Sequence, residues 1–191
     1  MALAAERIAT YQDVLDAPPH VVAEVIAGRL YTHPRPAPKH TVAYAALGAK
    51  LVPPFQFGDG GPSDWWILIE PELHLPTGAA DPDIVVPDIA GWRRERMPRI
   101  PETAYFEIAP DWACEILSPS TARLDRGEKR EVYAREGVGH LWLVDPIVRQ
   151  LEAFELREGR WVLLATISGS AEVAVAPFAA VPFSLGSLWA D

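Results

Sequence analysis

One glutamate interrupts the most apolar β-forming stretch of the chain. The run is Trp112-Ala113-Cys114-Glu115-Ile116-Leu117, and every neighbour of the glutamate is of a type that belongs in a sheet interior. A carboxylate sunk among such residues is costly unless a cation or hydrogen-bond donors meet it. An ion pair with an arginine satisfies that demand, and so does a metal ion. Any fold this chain adopts must supply one or the other to Glu115.

Asp83 poses the same question more weakly. It stands in A-D-P-D, directly before Ile84-Val85-Val86. An aspartate there either caps a turn or is held where the chain leaves the core. Two carboxylates on neighbouring strands can share one divalent cation. Lys129 and Tyr133 fall at i and i+4 of a predicted helix and share one of its faces. If that helix crosses the sheet near Glu115, Lys129 can orient or activate water on such a cation; otherwise it is a surface lysine. Glu24, between Ala23 and Val25, is a third carboxylate or an edge-strand charge. His40, at the start of the first long helix, contacts phosphate, shuttles a proton or is simply half-exposed. His20, His33, His74 and His140 show no metal-ligand spacing, and the chain has neither a Gly-rich phosphate loop nor a G-x-S-x-G elbow.

The pattern predicts a short helix over 10–17 capped by Thr10, then a hairpin over 21–33 turning at Gly28. A helix over 39–51 follows, with Ala43, Ala46, Leu47 and Leu51 at helical spacing. Residues 53–64 read as loop, 65–70 and 72–75 as strands, and 84–86 as a short buried strand. The segment 88–110 reads as irregular or partly helical. A strand at 112–117 leads to one helix over 121–137 that ends at Gly137. A strand at 140–144, a hairpin over 150–167 and an apolar tail at 182–189 complete the order. This is an α/β or mixed α+β arrangement, a central mixed sheet flanked by helices, and 191 residues suit a single domain over 1–191.

Composition narrows the setting. No apolar run approaches the ~18 residues of a membrane span, and the opening M-A-L-A-A-E-R-I lacks the basic region and apolar stretch of a secretory signal. Cys114 is the only cysteine, which rules out a Cys-based zinc site and suits the cytoplasm. The net charge of −9 is awkward for a partner that is nucleic acid. Positive charge gathers in two segments, Arg93 to Arg99 and Arg123 to Arg135. Either both face one cleft or they are solvated charges paired with nearby glutamates. Seven tryptophans leave aromatic surface to bury, and Trp65, Trp66 and Trp189 point to a homodimer interface.

The stretches E-V-I-A-G-R-L (24–30), H-T-V-A-Y-A-A-L (40–47), A-D-P-D-I-V-V (80–86), C-E-I-L-S-P-S-T (114–121), D-R-G-E-K-R-E-V-Y (125–133) and G-V-G-H-L-W-L-V-D-P (137–146) together resemble the Uma-two-type family of restriction endonuclease-like proteins. The resemblance runs in order from about residue 10 to 190. It implies the fold of the PD-(D/E)XK nucleases and a Mg²⁺ or Mn²⁺ site acting on nucleic acid, with DNA the first expectation. Carried over by position, Asp83 is the metal-binding aspartate, Glu115 the second ligand and Glu24 the additional acid. The lysine of that motif belongs two residues past the glutamate, where this chain has Leu117, and the resemblance assigns its role to Lys129. Tyr133 and His40 then position the substrate. The rival expectation is a catalytically inactive nuclease fold that binds DNA or a protein.

Overall fold

The computed structural model of the chain describes residues 7–76 and 81–189; Ala80 of the A-D-P-D motif lies outside them. A short helix α1 (Tyr11–Leu15) precedes a hairpin of β1 (Val21–Ile26) and β2 (Arg29–Pro34). Helix α2 (Pro38–Val52) runs into a π-helical turn at Pro53–Phe57. Strands β3 (Trp65–Ile69), β4 (Leu73–Leu75), β5 (Asp83–Val85), β6 (Ile89–Arg93) and β7 (Trp112–Ile116) follow. Helices α3 (Ala122–Arg126) and α4 (Glu128–Arg135) lead to β8 (His140–Asp145), β9 (Gln150–Arg157) and β10 (Arg160–Ser168). A two-stranded pair, β11 (Glu172–Val173) and β12 (Phe183–Ser184), lies near the end.

The main sheet has the order β10-β9-β8-β7-β6-β3. Its β7–β8 pair is parallel and its other pairs are antiparallel, so the expected mixed sheet is present. The parallel pair arises because α3 and α4 form the crossover between β7 and β8. A second sheet, β2-β1-β5-β4, carries the first hairpin and takes in the short strand after Pro82.

Strand alternation decides which face each side chain meets. On β7, Trp112, Cys114 and Ile116 join a core with Ala43, Leu47 and Leu51 of α2. Ala113 and Leu117 join the opposite core, which holds Val132 and Tyr133 of α4. Glu115 has the parity of this second set and faces α4. The fully buried Leu47 and Leu51 each contribute about 1.5–3 kcal/mol to fixing α2 on the sheet.

Three expectations need correction. Segment 88–110 is not irregular throughout: Ile89–Arg93 is an interior strand of the main sheet, hidden in the sequence by Ala90 and Gly91. Gly91 is small because Trp65 and Trp112 close over it; an added Cβ would lie 3.1 and 3.2 Å from their rings. The single helix over 121–137 is two helices broken at Gly127, whose φ of −107° and ψ of −104° leave the helical region. A Cβ on Gly127 would lie 2.9 Å from the Arg123 carbonyl, so the break needs glycine. Finally, of the three tryptophans expected at a dimer surface, Trp65 lies in the core, while Trp66 and Trp189 are only partly covered. Trp66 donates to the Met97 carbonyl beneath Arg94, and Trp189 donates to the Gly169 carbonyl. Among the described residues no helix is long and apolar enough to cross a membrane.

Candidate active site

A cavity of about 240 Å³ opens between the first hairpin, the start of α2, the end of β7 and helices α3 and α4. Its polar lining includes Glu24, His40, Asp88, Glu115, Asp125 and Lys129. Lys129 stands at the centre. Its ammonium is 2.9 Å from Glu115 Oε1, 3.0 Å from Glu24 Oε1 and 3.7 Å from Asp125 Oδ1, and it donates to the Val86 carbonyl at 3.2 Å. Glu24 also accepts from the Val86 N–H at 2.8 Å. Tyr133, one turn beyond Lys129, donates its hydroxyl to Glu115 Oε1 at 2.5 Å. The i, i+4 spacing of Lys129 and Tyr133 thus delivers both to one carboxylate.

Asp88, directly before β6, completes the group. The antiparallel register pairs Ile89 with Cys114, so Asp88, one residue outward, is brought beside Glu115. Asp88 Oδ2 accepts from the Ile116 N–H at 2.7 Å, and Oδ1 lies 3.2 Å from His40 Nε2. His40 is held by the first turn of α2, and its Nδ1 is buried with no hydrogen-bond partner. The His33 ring lies further off, 3.8 Å from Glu24 Oε2.

The structure brings together Glu24, His40, Glu115, Lys129 and Tyr133, and it does not bring Asp83 to them. Asp83 is buried but does not line the cavity. Its Oδ1 accepts from the Ala27 N–H at 2.7 Å and its Oδ2 from Arg135 at 2.8 Å. Ala27 and Gly28 both have positive φ, 51° and 72°, as a two-residue hairpin turn of this kind requires. Asp83 therefore ties that turn to α4. The aspartate beside Glu115 is Asp88. The sequence held the signal twice, since P-D-I occurs at 82–84 and again at 87–89, and only the strand register tells the two apart. Asp125 was also missed; its spacing of four from Lys129 was the sign that could have found it.

Electrostatics follow from burial. Glu24, Glu115, Asp125 and Lys129 are each no more than 3% exposed. Burial pushes the Glu115 carboxyl well above the usual range, against the pull of Lys129 and helped by Asp125 and Asp88. Burial likewise pushes Asp125 up to about 6. Burial alone would lower the Lys129 pKa, but Glu115 and Glu24 outweigh it and hold the ammonium well above its ordinary value. Lys129 is thus held as a cation by the carboxylates around it. Burial and Glu115 raise the Tyr133 phenol, which stays neutral and donates.

Four carboxylates face one lysine and one histidine, a set of oxygen donors suited to a divalent cation. Among the described residues no three His, Cys, Asp or Glu side chains converge into a metal cage. Mg²⁺ needs none, since one or two carboxylates suffice when water and substrate phosphate complete its shell. The adjacent pair Asp88 and Glu115 fits that demand.

The arginines do not converge here as two groups. Arg93 pairs with Asp64 and lies over Trp65, Arg94 donates to the Trp65 and Gln56 carbonyls, and Arg96 pairs with Asp111. Arg126 pairs with Glu152, and Arg130 lies over Phe154.

Comparison with known proteins bears on the family and the fold. The model of the Uma2 family, described as "Putative restriction endonuclease", matches residues 8–185. The crystal structure described as a "putative nuclease belonging to DUF820" from Anabaena variabilis superposes with a TM-score of 0.69 at 23% identity, covering 94% of this chain and 96% of that one. At that identity the likeness speaks for the fold. No curated protein matches.

Proposed function

This chain belongs to the Uma2 family, and from that premise we propose that it is a divalent-metal-dependent endonuclease that hydrolyses phosphodiester bonds of nucleic acid. The observation that carries the reading is the convergence of Asp88, Glu115 and Lys129 in one buried cavity, with the lysine arriving from a helix. Asp88 and Glu115 would hold the metal in place of the Asp83 and Glu115 pair. A bound Mg²⁺ or Mn²⁺ supplies Lewis acidity to the scissile phosphate and lowers the pKa of a water. The chain's own residues do the rest. Lys129 stabilises negative charge building on the phosphate oxygens. Tyr133 fixes the orientation of Glu115 through its hydroxyl. His40 holds Asp88 through Nε2 and is placed to carry a proton. Glu24 anchors Lys129 from the opposite side.

The reading is tested on supercoiled plasmid, linear duplex, single-stranded DNA and RNA with Mg²⁺, Mn²⁺ or EDTA. The expected result is cleavage of at least one substrate with a divalent ion and none with EDTA. Binding without cleavage under every condition would instead establish a catalytically inactive nuclease fold.

A further inference from the structure

A larger groove, about 850 Å³, lies beside the cavity, and the two share His33 and Ser120 in their linings. One wall is β2. Arg29, Tyr31 and His33 alternate along this strand, and all three line the groove, as period-two geometry allows. Residues 120–128 form the other wall and contribute Arg123. Among the described residues neither the Arg29 nor the Arg123 side chain has a hydrogen-bond or ion-pair partner, and both residues are exposed. Arg7, also in the lining, is engaged by Asp13, and the remaining acid there is Glu128.

We propose that this groove is a track for a single strand of polynucleotide, with its phosphates on Arg29 and Arg123 and a base against Tyr31, leading past Ser120 into the carboxylate cavity. The inference rests on the nuclease reading and adds the form of its substrate. Two arguments select a single strand. Its bases are unpaired and free to stack on the half-buried Tyr31 ring, and stacking with interspersed cations is how sequence-tolerant strand binding works. Glu115, at 2% exposed, also lies deep in the cavity, and a flexible single strand bends to deliver a phosphate there more readily than a stiff duplex. Within the groove, the arginine charge not already paired is that of Arg29 and Arg123.

The test uses fluorescence anisotropy with labelled single-stranded DNA, single-stranded RNA and duplex DNA. It is run on full-length Glu115→Gln protein with Mg²⁺ so that no strand is cut. Single strands are expected to bind more tightly than duplex, and the tighter of the two single strands identifies the sugar. In Arg29→Ala/Arg123→Ala the affinity for the strand falls about tenfold or more at low salt. The slope of log K against log salt falls by about 1.4, since each single-strand phosphate contact carries about 0.7. Both arginines are exposed, so circular dichroism is expected to show an unchanged fold. Tighter binding of duplex, or an unaltered salt slope in the double variant, overturns the track. Cleavage by the wild-type chain together with arginine-independent binding overturns the track alone. Arginine-dependent strand binding without any cleavage by the wild-type chain upholds the track and overturns the nuclease.

Discussion

Lys129→Met lowers the stability of the folded chain by about 3–5 kcal/mol, the cost of removing one partner from a buried ionic group. The reason lies in what is left behind. Glu115, Glu24 and Asp125 sit 2.9, 3.0 and 3.7 Å from the ammonium, and without it three buried carboxylates face one another. Protonation is their only relief. The loss is therefore greater at pH 8 than at pH 5, where acids pushed upward by burial already carry protons. For a chain of this length the melting temperature falls by roughly 10 °C. Adding Glu115→Gln to Lys129→Met recovers part of the loss, because one of the stranded charges is gone. Thermal denaturation of both variants across pH 5–8 checks the claim. A Lys129→Met protein as stable as wild type at pH 8 would mean that the ammonium does not hold the cluster.

Glu115→Gln behaves in the opposite way, losing cleavage while keeping the fold. The amide has the shape of the carboxyl and can still accept from Tyr133 and Lys129. Activity falls by about 10³-fold, corresponding to the ~4 kcal/mol expected when a metal ligand's charge is removed. Stability at pH 7 equals or exceeds that of wild type. The sign follows from linkage. An acid whose folded pKa lies above its unfolded value binds more protons in the native state, so its contribution to stability declines as pH rises from the unfolded pKa toward the folded one. The Glu115 carboxyl is raised well above the usual range, and its charge at neutral pH works against the fold. The glutamine removes that pH slope, while the slope due to Asp125, raised to about 6, remains. Denaturant unfolding at pH 5 and pH 8 measures both. A variant that retains cleavage, or that unfolds more readily at pH 8 than wild type, contradicts this assignment. Stability gained by removing a buried charge from a functional site is the trade-off such sites commonly show.

The parts of the site legible in the sequence are those fixed by local periodicity. Glu115 betrays itself by polarity within an apolar run, and the four-residue step from Lys129 to Tyr133 places two donors on one helix face. Asp88 and Asp83 cannot be separated in that way. Both follow proline and precede isoleucine, and both are held by backbone N–H groups. What distinguishes them is sheet membership. Asp83 belongs to the smaller sheet through β4 and β1, while Ile89 pairs with Cys114 in the large one. Long-range pairing of that sort has no local signature. The break at Gly127 was equally hidden, because one glycine inside a helical pattern is ordinarily tolerated. Here the break separates α3, which bears Asp125 and Arg123, from α4, which bears Lys129 and Tyr133. The first arginine group misled for a related reason. Local charge density says nothing about Asp64, Asp111 and the backbone carbonyls that these side chains find across the fold.

The central claim is that the catalytic aspartate is the one beside Glu115, and the most direct measurement compares Asp88→Asn with Asp83→Asn in Mn²⁺-dependent cleavage, with folding checked by circular dichroism. The account predicts that Asp88→Asn loses activity by about 10³-fold and remains folded. Asp83→Asn keeps turnover within a few-fold of wild type and shows a lowered melting temperature, because the tie between the Ala27 turn and Arg135 is weakened. A folded Asp83→Asn protein that cannot cut, beside an Asp88→Asn protein that can, would contradict the account.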